Sequence, residues 1–282
     1  MTTLRIGVSG FSYRHWRGPF YPPSLPARRW LAYASRVLSS VELNATFYRL
    51  QTPAAFRAWA GAVPSRGFTF AIKGSRYVTH NLKLGRPEPA LANFFASGVL
   101  ELGRLTGPFL WQLPRTLRFD AERVERFLGA LPRTTAAAER LARRHDGRIG
   151  GERVRLTARA RLRLRHALEP RHPSFFCEPC YALLRRHGCA LVIAHGADAP
   201  PPVFTLTAPF AYVRLHGTAG PYRGHYDEAA LRAWARRIRR WRAEGRDAFV
   251  YFDNDAGAAA PADARRLMRL LRLPAPDGAV PA

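Results

Sequence analysis

Short apolar segments alternate with longer amphipathic segments along the whole chain, and this pattern predicts alternating strands and helices. The predicted strands are 4–11, 39–48, 68–74, 107–114, 165–171, 189–195, 208–217 and 247–255. The predicted helices are 28–37, 53–64, 90–102, 121–131, 134–145, 181–188, 228–245 and 261–273. Eight strands with helices between them are typical of a (β/α)8 TIM barrel in the α/β class.

The pattern indicates one domain over residues 1–282, with a short C-terminal tail at 273–282. An open doubly wound sheet is the alternative, but no G-x-G-x-x-G follows the first strand, as a dinucleotide-binding fold of that type would require. No internal repeat or linker interrupts the alternation. We therefore expect a single TIM barrel.

Composition adds one strong feature, a formal net charge of +25. Only Lys73 and Lys83 among the 45 basic residues are lysines, a bias that fits GC-rich codon usage as well as selection. A surface this basic attracts polyanions, so non-specific affinity for nucleic acid is expected. No helix-turn-helix or zinc-finger spacing supports sequence-specific binding. With no long apolar run and no charged-then-apolar leader, we expect a soluble cytoplasmic protein without a membrane partner.

Three cysteines, Cys177, Cys180 and Cys189, are too few for a disulfide framework in a chain of this length. Cys177 and Cys180 match C-x-x-C, which leaves a metal site or a redox pair as alternatives to ordinary packing. A zinc site would need two more ligands, and only His187 and Cys189 lie nearby in the sequence. We expect packing.

Polar side chains occur at the C-terminal end of nearly every predicted strand, where the chemistry of TIM barrels collects. They are Ser9, Tyr13, Glu42, Asn44, Lys73, Arg76, His80, Gln112, Glu169, Arg171, His172, His195, Arg214, His216, Asp253, Asn254 and Asp255. The remaining histidines, at positions 15, 145, 166, 187 and 225, are expected on the surface. This repetition predicts a ligand site at the barrel mouth, although each pair taken singly could be architectural.

Alternation along the strands places Glu42 with Asn44, Glu169 with Arg171, and Arg214 with His216 on common faces. Buried charges need partners, so Glu42 and Glu169 are the expected counterions of Lys73, Arg171 and Arg214. Two carboxylates against three cations favour an anionic ligand group, such as a phosphate or a carboxylate.

The segments SGFSYRHWRGPFYP, VELNATFYRL, FAIKGSRYVTH, WQLP, EPRHPSFF, YVRLHG and YFDNDA, in this order, resemble the YecE-like family, domain of unknown function 72. The resemblance spans residues 4 to 272 and implies a TIM-type barrel without an established activity, related by fold to sugar isomerases. It also implies site positions, which match Glu42, Asn44, Tyr48, Lys73, His80, Gln112, Glu169, Arg171, His172, Arg214, His216 and Asn254. Two positions depart from the family pattern: His195 replaces an aspartate, and Pro170, which cannot donate to the ladder, should bulge or end the fifth strand.

Three functions follow as hypotheses. The favoured one is a metal-independent isomerase- or lyase-type enzyme acting on a small anionic, sugar-like or phosphorylated substrate, with no cofactor. Its predicted catalytic residues are Glu42, Lys73, Glu169 and His216, with Glu42 or Glu169 as base and Lys73 as acid, oxyanion stabiliser or Schiff-base lysine. Its predicted ligand-binding residues are Tyr13, Asn44, Tyr48, His80, Gln112, Arg171, His172, Arg214 and Asn254.

The first alternative is a metal-assisted hydrolase or phosphodiesterase acting on nucleic acid, with Zn or Mn held among Glu42, Glu169, His172, His195, His216 and Asp253. Neighbouring cations oppose a divalent ion there. The second alternative is a non-catalytic protein that binds a polyanion or a metabolite.

Overall fold

The computed structural model describes residues 2–197 and 199–274. Within these residues, eight parallel strands pair in chain order, and the last pairs with the first to close a barrel. The strands are β1 (Leu4–Ser9), β2 (Ser40–Leu43), β3 (Thr69–Lys73), β4 (Thr106–Gln112), β5 (His166–Glu169), β6 (Ala190–His195), β7 (Phe210–Leu215) and β8 (Asp247–Phe252). The predicted α/β barrel is confirmed.

Helices separate most of the strands, but the described residues between β6 and β7 contain none. They are α1 (Trp30–Val37), α2 (Ala45–Tyr48), α3 (Pro53–Gly61), α4 (Glu88–Ala96), α5 (Ala121–Ala130), α6 (Thr135–Ala142), α7 (Glu178–Arg186), α8 (Glu228–Ala243) and α9 (Ala259–Leu270). A π-helical turn at Tyr77–Asn81 follows β3. Short 3-10 turns occur at Arg14–Trp16, Ala27–Arg29, Val99–Leu105, Gly151–Arg153, Pro173–Phe175 and Ala256–Ala258.

Helix α8 shows why the amphipathic segments fold as they do. Its buried side chains are Leu231, Trp234, Ala235, Ile238 and Trp241, a spacing that places them on one face of a 3.6-residue helix. The side chain of Asp227 caps the helix by accepting a hydrogen bond of 2.7 Å from the backbone N–H of Ala230. Most of the arginines between the apolar positions, namely Arg232, Arg236, Arg239 and Arg240, are exposed.

The predicted second strand, 39–48, is wrong in its second half. Strand β2 ends at Leu43, and α2 begins at Ala45. Asn44 has helical dihedral angles, with φ −81° and ψ −23°, so it does not continue the alternation that begins at Glu42. By contrast, β5 ends at Glu169 directly before Pro170, as predicted from the missing N–H of proline.

The described residues pack as two compact units. The first unit comprises the described residues of Met1–Glu42, Ala62–Thr69 and Val192–Ala282, and its core includes Ile6, Val8, Val213 and Val250. The second comprises Leu43–Gly61 and Phe70–Leu191, and its core includes the large side chains of Phe70, Phe94, Phe109 and Trp111. The predicted single domain stays a prediction, and the predicted tail lies outside the described residues from 275 onward.

In the parts of the chain that the structure describes, no helix combines the length and the apolar character that crossing a membrane requires. The cytoplasmic location stays a prediction.

Candidate functional site

The first unit contains a buried carboxylate, Glu42, whose side chain has no solvent-accessible surface. Its Oε1 accepts hydrogen bonds from Ser9 Oγ at 2.5 Å and from Arg214 Nη2 at 2.8 Å. Its Oε2 accepts from Tyr212 Oη at 2.6 Å and from Arg214 Nε at 3.2 Å. Glu42, predicted as a counterion of the buried cations, pairs with Arg214, and these four bonds satisfy the desolvated carboxylate.

Arg214 also joins Glu42 to a second carboxylate. Its Nη2 donates to Asp253 Oδ2 at 2.9 Å, and the same oxygen lies 3.0 Å from Nδ1 of His216. His216 is buried. A carboxylate at ion-pair distance from a ring nitrogen is an arrangement found beside general acid–base histidines.

Local sequence explains most of this group. Tyr212, Arg214 and His216 alternate along and just beyond β7, so their side chains share one face. Ser9 and Glu42 are register partners on β1 and β2. Burial, followed by the neighbouring Glu42, raises the pKa of Tyr212, so its hydroxyl stays protonated and acts as a donor.

His195, at the end of β6, extends this group. Burial and, after it, His216 lower the pKa of His195 below the usual value for histidine, so it is neutral at pH 7. Its Nδ1 lies 3.1 Å from Tyr226 Oη. His195, which occupies a position where the resemblance implies an aspartate, therefore lies beside His216 and supplies no carboxylate.

Two further predicted ligand-binding residues of the first unit have structural partners. Tyr13 donates from Oη to the backbone oxygen of Ser9 at 2.8 Å. Asn254 is fully buried, and its Nδ2 donates to Gly224 O at 2.8 Å and to Asp263 Oδ2 at 2.9 Å. Their role in ligand binding stays a prediction.

The second unit contains the predicted lysine. Lys73 ends β3 with 8% of its surface exposed, and its Nζ lies 4.5 Å from the centroid of the Phe47 ring. This cation–π contact stabilises the ammonium group at low exposure. Thr46 donates from Oγ1 to the backbone oxygen of Lys73 at 2.6 Å, which fixes α2 against the end of the strand.

His80, in the turn after β3, lies among cations. Burial and then Lys73, Arg76 and Arg171 lower the pKa of His80 below the usual value for histidine. Its ring packs edge-on against Phe47 at 5.1 Å between centroids, and its Nδ1 lies 2.9 Å from Thr79 Oγ1. The lowered pKa keeps the imidazole in its neutral form, which can accept a proton, although the neighbouring cations oppose the charged form.

Glu169, the second predicted counterion, pairs with Arg171. Arg171 Nη2 lies 2.7 Å from Oε1 of the fully buried Glu169. Gln112 ends β4 beside Glu169 in the strand register and is partly exposed. Lys73, Arg76 and Arg171 together carry three positive charges, and Glu169 supplies one negative charge, so this set is net positive.

Three other predicted residues occupy different environments. His172 caps a 3-10 turn, because its Nδ1 accepts from the backbone N–H of Ser174 at 3.1 Å. Tyr48 ends α2 rather than a strand, and 73% of its surface is exposed. Asn44 is partly exposed at the start of α2. A ligand-binding role for these residues stays a prediction.

The sequence analysis missed three contacts that the structure shows around Glu42, His216 and Lys73. Tyr212 was detectable, because it lies two positions before Arg214 on the same strand face. Asp253 was noted as a polar strand end but not as the partner of His216. Phe47 looked like an ordinary apolar residue, and its contact with Lys73 depends on the position of α2.

Metal ligation and the cysteines add no further site. Among residues 2–197 and 199–274, no group of three or more His, Cys, Asp or Glu side chains is placed to hold a metal ion. Among the described residues, Cys177, Cys180 and Cys189 form no disulfide bond. Burial raises the pKa of Cys180 and of Cys189 to about 12, which opposes the thiolate that redox or metal chemistry requires.

Solved structures similar to this chain include DUF72 family proteins and a D-psicose 3-epimerase. A DUF72 family protein from Thermotoga maritima MSB8 matches with 25% identity and a TM-score of 0.75, over 96% of this chain and 99% of that chain. One from Enterococcus faecalis V583 matches with 18% identity and a TM-score of 0.70, over 96% of both chains. D-psicose 3-epimerase from Clostridium cellulolyticum H10 matches with 8% identity and a TM-score of 0.53, over 96% of this chain and 98% of that chain.

No curated protein matches this chain. The family model described as "Protein of unknown function DUF72" matches residues 5–281, almost the whole chain. This chain, with its closed eight-stranded barrel and its polar strand ends, therefore belongs to the DUF72 family.

Proposed function

We propose that this protein is an enzyme that binds the anionic group of a small sugar-like or phosphorylated molecule and moves a proton on it, by isomerase- or lyase-type chemistry without an obligatory cofactor. The observation that carries the proposal is the cation set around His80. Lys73, Arg76 and Arg171 all act on this one histidine, and all belong to the second unit.

The charge balance of that set supports an anionic ligand. Three cations and one carboxylate leave a net positive charge, which a phosphate or carboxylate group would reduce. Arg171 offers a planar donor fork that Glu169 orients, and Lys73 offers a compact ammonium group. Both also suit the stabilisation of negative charge that develops on oxygen during proton transfer.

His80 is the proton acceptor in this proposal, because its lowered pKa leaves it neutral at pH 7. Glu169, predicted as a base, is fully buried and paired, so we assign it to the positioning of Arg171. In the first unit, His216 with Asp253 is a second acid–base group, and Glu42 positions Arg214. The fold similarity to D-psicose 3-epimerase supports the sugar-like part of the proposal at the level of fold alone.

A ligand screen followed by hydrogen exchange tests the proposal. Phosphorylated sugars and sugar acids are screened for an increase in the thermal midpoint, because a specific ligand stabilises the folded state by mass action. Hits are then incubated with the enzyme in D2O, and proton NMR follows the replacement of a carbon-bound hydrogen by deuterium. We expect Lys73→Met to weaken binding roughly 10-fold or more, and His80→Gln to stop exchange while binding persists.

Lys83→Met is the matched control, since Lys83 is the other lysine of the chain and is exposed. It should bind and exchange like the wild type. If a hit stabilises the Lys73→Met variant as strongly as the wild type, the cation set is not the anion site. If hits bind but no carbon-bound hydrogen exchanges with any of them, the acid–base enzyme is rejected in favour of a binding protein.

A polyanion-binding function is the second candidate, and the net charge of +25 favours it. In that case the outer arginines, not Lys73, would carry the affinity.

A further inference from the structure

A pocket of about 410 Å³ lies in the second unit, which also contains His80. Its lining residues are Leu50, Ser75, Tyr77, Ala90, Asn93 and Arg148. None of them is among the predicted site residues. Ser75 lies two positions after Lys73, and Tyr77 begins the π-helical turn that includes His80.

The pocket combines apolar walls with a cationic rim. Leu50, Ala90 and the ring of Tyr77 supply the walls, and Arg148 supplies the charge. The guanidinium of Arg148 lies 5.4 Å from the centroid of the Tyr77 ring, and its Nη1 donates to Tyr77 Oη at 3.2 Å. These two contacts hold the planar donor group against an aromatic face.

The other polar side chains of the pocket each have a hydrogen-bond partner within the protein. Asn93 exchanges hydrogen bonds with Asp146, from Nδ2 to Oδ1 at 3.0 Å and from the Asp146 N–H to Oδ1 of Asn93 at 3.0 Å. Ser75 Oγ accepts from the backbone N–H of Tyr77 at 3.2 Å. Asp146 Oδ2 forms an ion pair with Arg148 Nε at 3.9 Å, a distance beyond a direct hydrogen bond.

We propose that this pocket binds a small aromatic carboxylate, with the ring between Tyr77, Leu50 and Ala90 and the carboxylate on Arg148. An apolar body fits walls that offer few free polar atoms, and a carboxylate matches the fork geometry of a guanidinium. The volume accommodates a bicyclic ring. The site does not depend on the cation set around His80, so it adds a binding function to the proposed enzyme.

The test uses 2-naphthoate as the probe and the full-length protein, with binding measured by isothermal titration calorimetry. We expect a dissociation constant of about 1 mM, as is usual for a ligand of this size. The neutral analogue 2-naphthamide should bind at least about 5-fold more weakly, because it cannot form the ion pair. Ala90→Phe, which fills the pocket, should abolish naphthoate binding, and Arg148→Ala should weaken it about 5-fold or more.

Arg144→Ala is the matched control, an exposed arginine outside the pocket lining, and it should bind like the wild type. If Ala90→Phe does not fold, Leu50→Trp fills the pocket from the other wall. Absence of binding at 10 mM naphthoate, or unchanged binding in the filled and Arg148 variants, would overturn the proposal. Binding of inorganic phosphate, measured in parallel, should respond to Lys73→Met and not to Ala90→Phe, so failure here is distinguishable from failure of the proposed enzyme.

Discussion

His166 shows how much a single residue depends on burial. It was predicted on the surface, but it lies in β5 without any exposed surface. Its Nδ1 accepts from Trp111 Nε1 at 3.1 Å, and its Nε2 lies 2.8 Å from Pro132 O. This arrangement requires the neutral tautomer protonated at Nε2, because Nδ1 already faces a donor.

Burial accordingly lowers the pKa of His166 to about 3. Between this value and the ordinary value near 6.5, the unfolded chain binds one proton more than the folded chain at this residue. The free energy of unfolding should therefore fall as the pH falls below 6.5, and His166 should contribute about 2 kcal/mol of that loss between pH 6.5 and pH 5.

Urea unfolding of the wild type and of His166→Gln at both pH values measures this contribution. Glutamine offers one acceptor and one donor but does not titrate, so the variant should lose about 2 kcal/mol less than the wild type on acidification. His15→Gln, at an exposed histidine, is the control and should behave like the wild type. Equal losses in the wild type and in His166→Gln would contradict the assignment.

At the level of elements, β7 and the loop after it determine where His216 lies. Gly217 follows His216 with φ +99°, a left-handed conformation that glycine adopts at little cost. A Cβ at this position would lie 2.1 Å from the backbone oxygen of Arg223. The loop therefore folds back on the end of β7, and only glycine allows the close approach of the two backbone segments.

The same loop contains a matched glycine. Gly220 has φ +101°, but a Cβ there would meet no atom within 4 Å. Gly220→Ala should lower the free energy of unfolding by about 1–2 kcal/mol through backbone strain alone. Gly217→Ala should cost about 1–3 kcal/mol more, because the backbone of Arg223 must move. Urea unfolding compares the two variants, and equal costs would show that the contact with Arg223 is not constraining.

At the scale of the whole molecule, charge is the dominant property. Helix α8 concentrates it: Arg232, Arg236 and Arg240 recur at four-residue spacing and are exposed. Glu228 and Glu244 pair with Arg232 and Arg240. The arginines of α8 outnumber these glutamates, so the helix remains strongly basic. Such a face attracts the regularly spaced phosphates of a nucleic acid.

Duplex DNA of random sequence should therefore bind weakly, with an affinity that falls linearly on a logarithmic plot against salt concentration. Fluorescence anisotropy at several salt concentrations measures the slope. Replacing Arg232, Arg236 and Arg240 with glutamine should lower the slope by about 1–3, whereas Lys73→Met should leave it unchanged. Loss of DNA binding in Lys73→Met, with none in the α8 variant, would instead place nucleic acid at the end of β3.

The amino-acid sequence by itself determined the order of strands and helices, the polar residues at the strand ends, and the role of Glu42 and Glu169 as counterions of buried cations. These follow from local periodicity and from the rule that a buried charge needs a partner. Pro170 likewise predicted the end of β5, because the missing N–H of proline is a local property.

Only the tertiary structure decided which side chains meet. It ended β2 at Leu43 and so separated Asn44 and Tyr48 from the face of Glu42, and it placed Phe47 against Lys73. It joined Tyr212 to Glu42 across 170 positions of the sequence and buried His166. The physical reason is that strand alternation fixes the face of a residue only while the strand lasts, whereas contacts between distant residues depend on strand pairing, which no local pattern encodes.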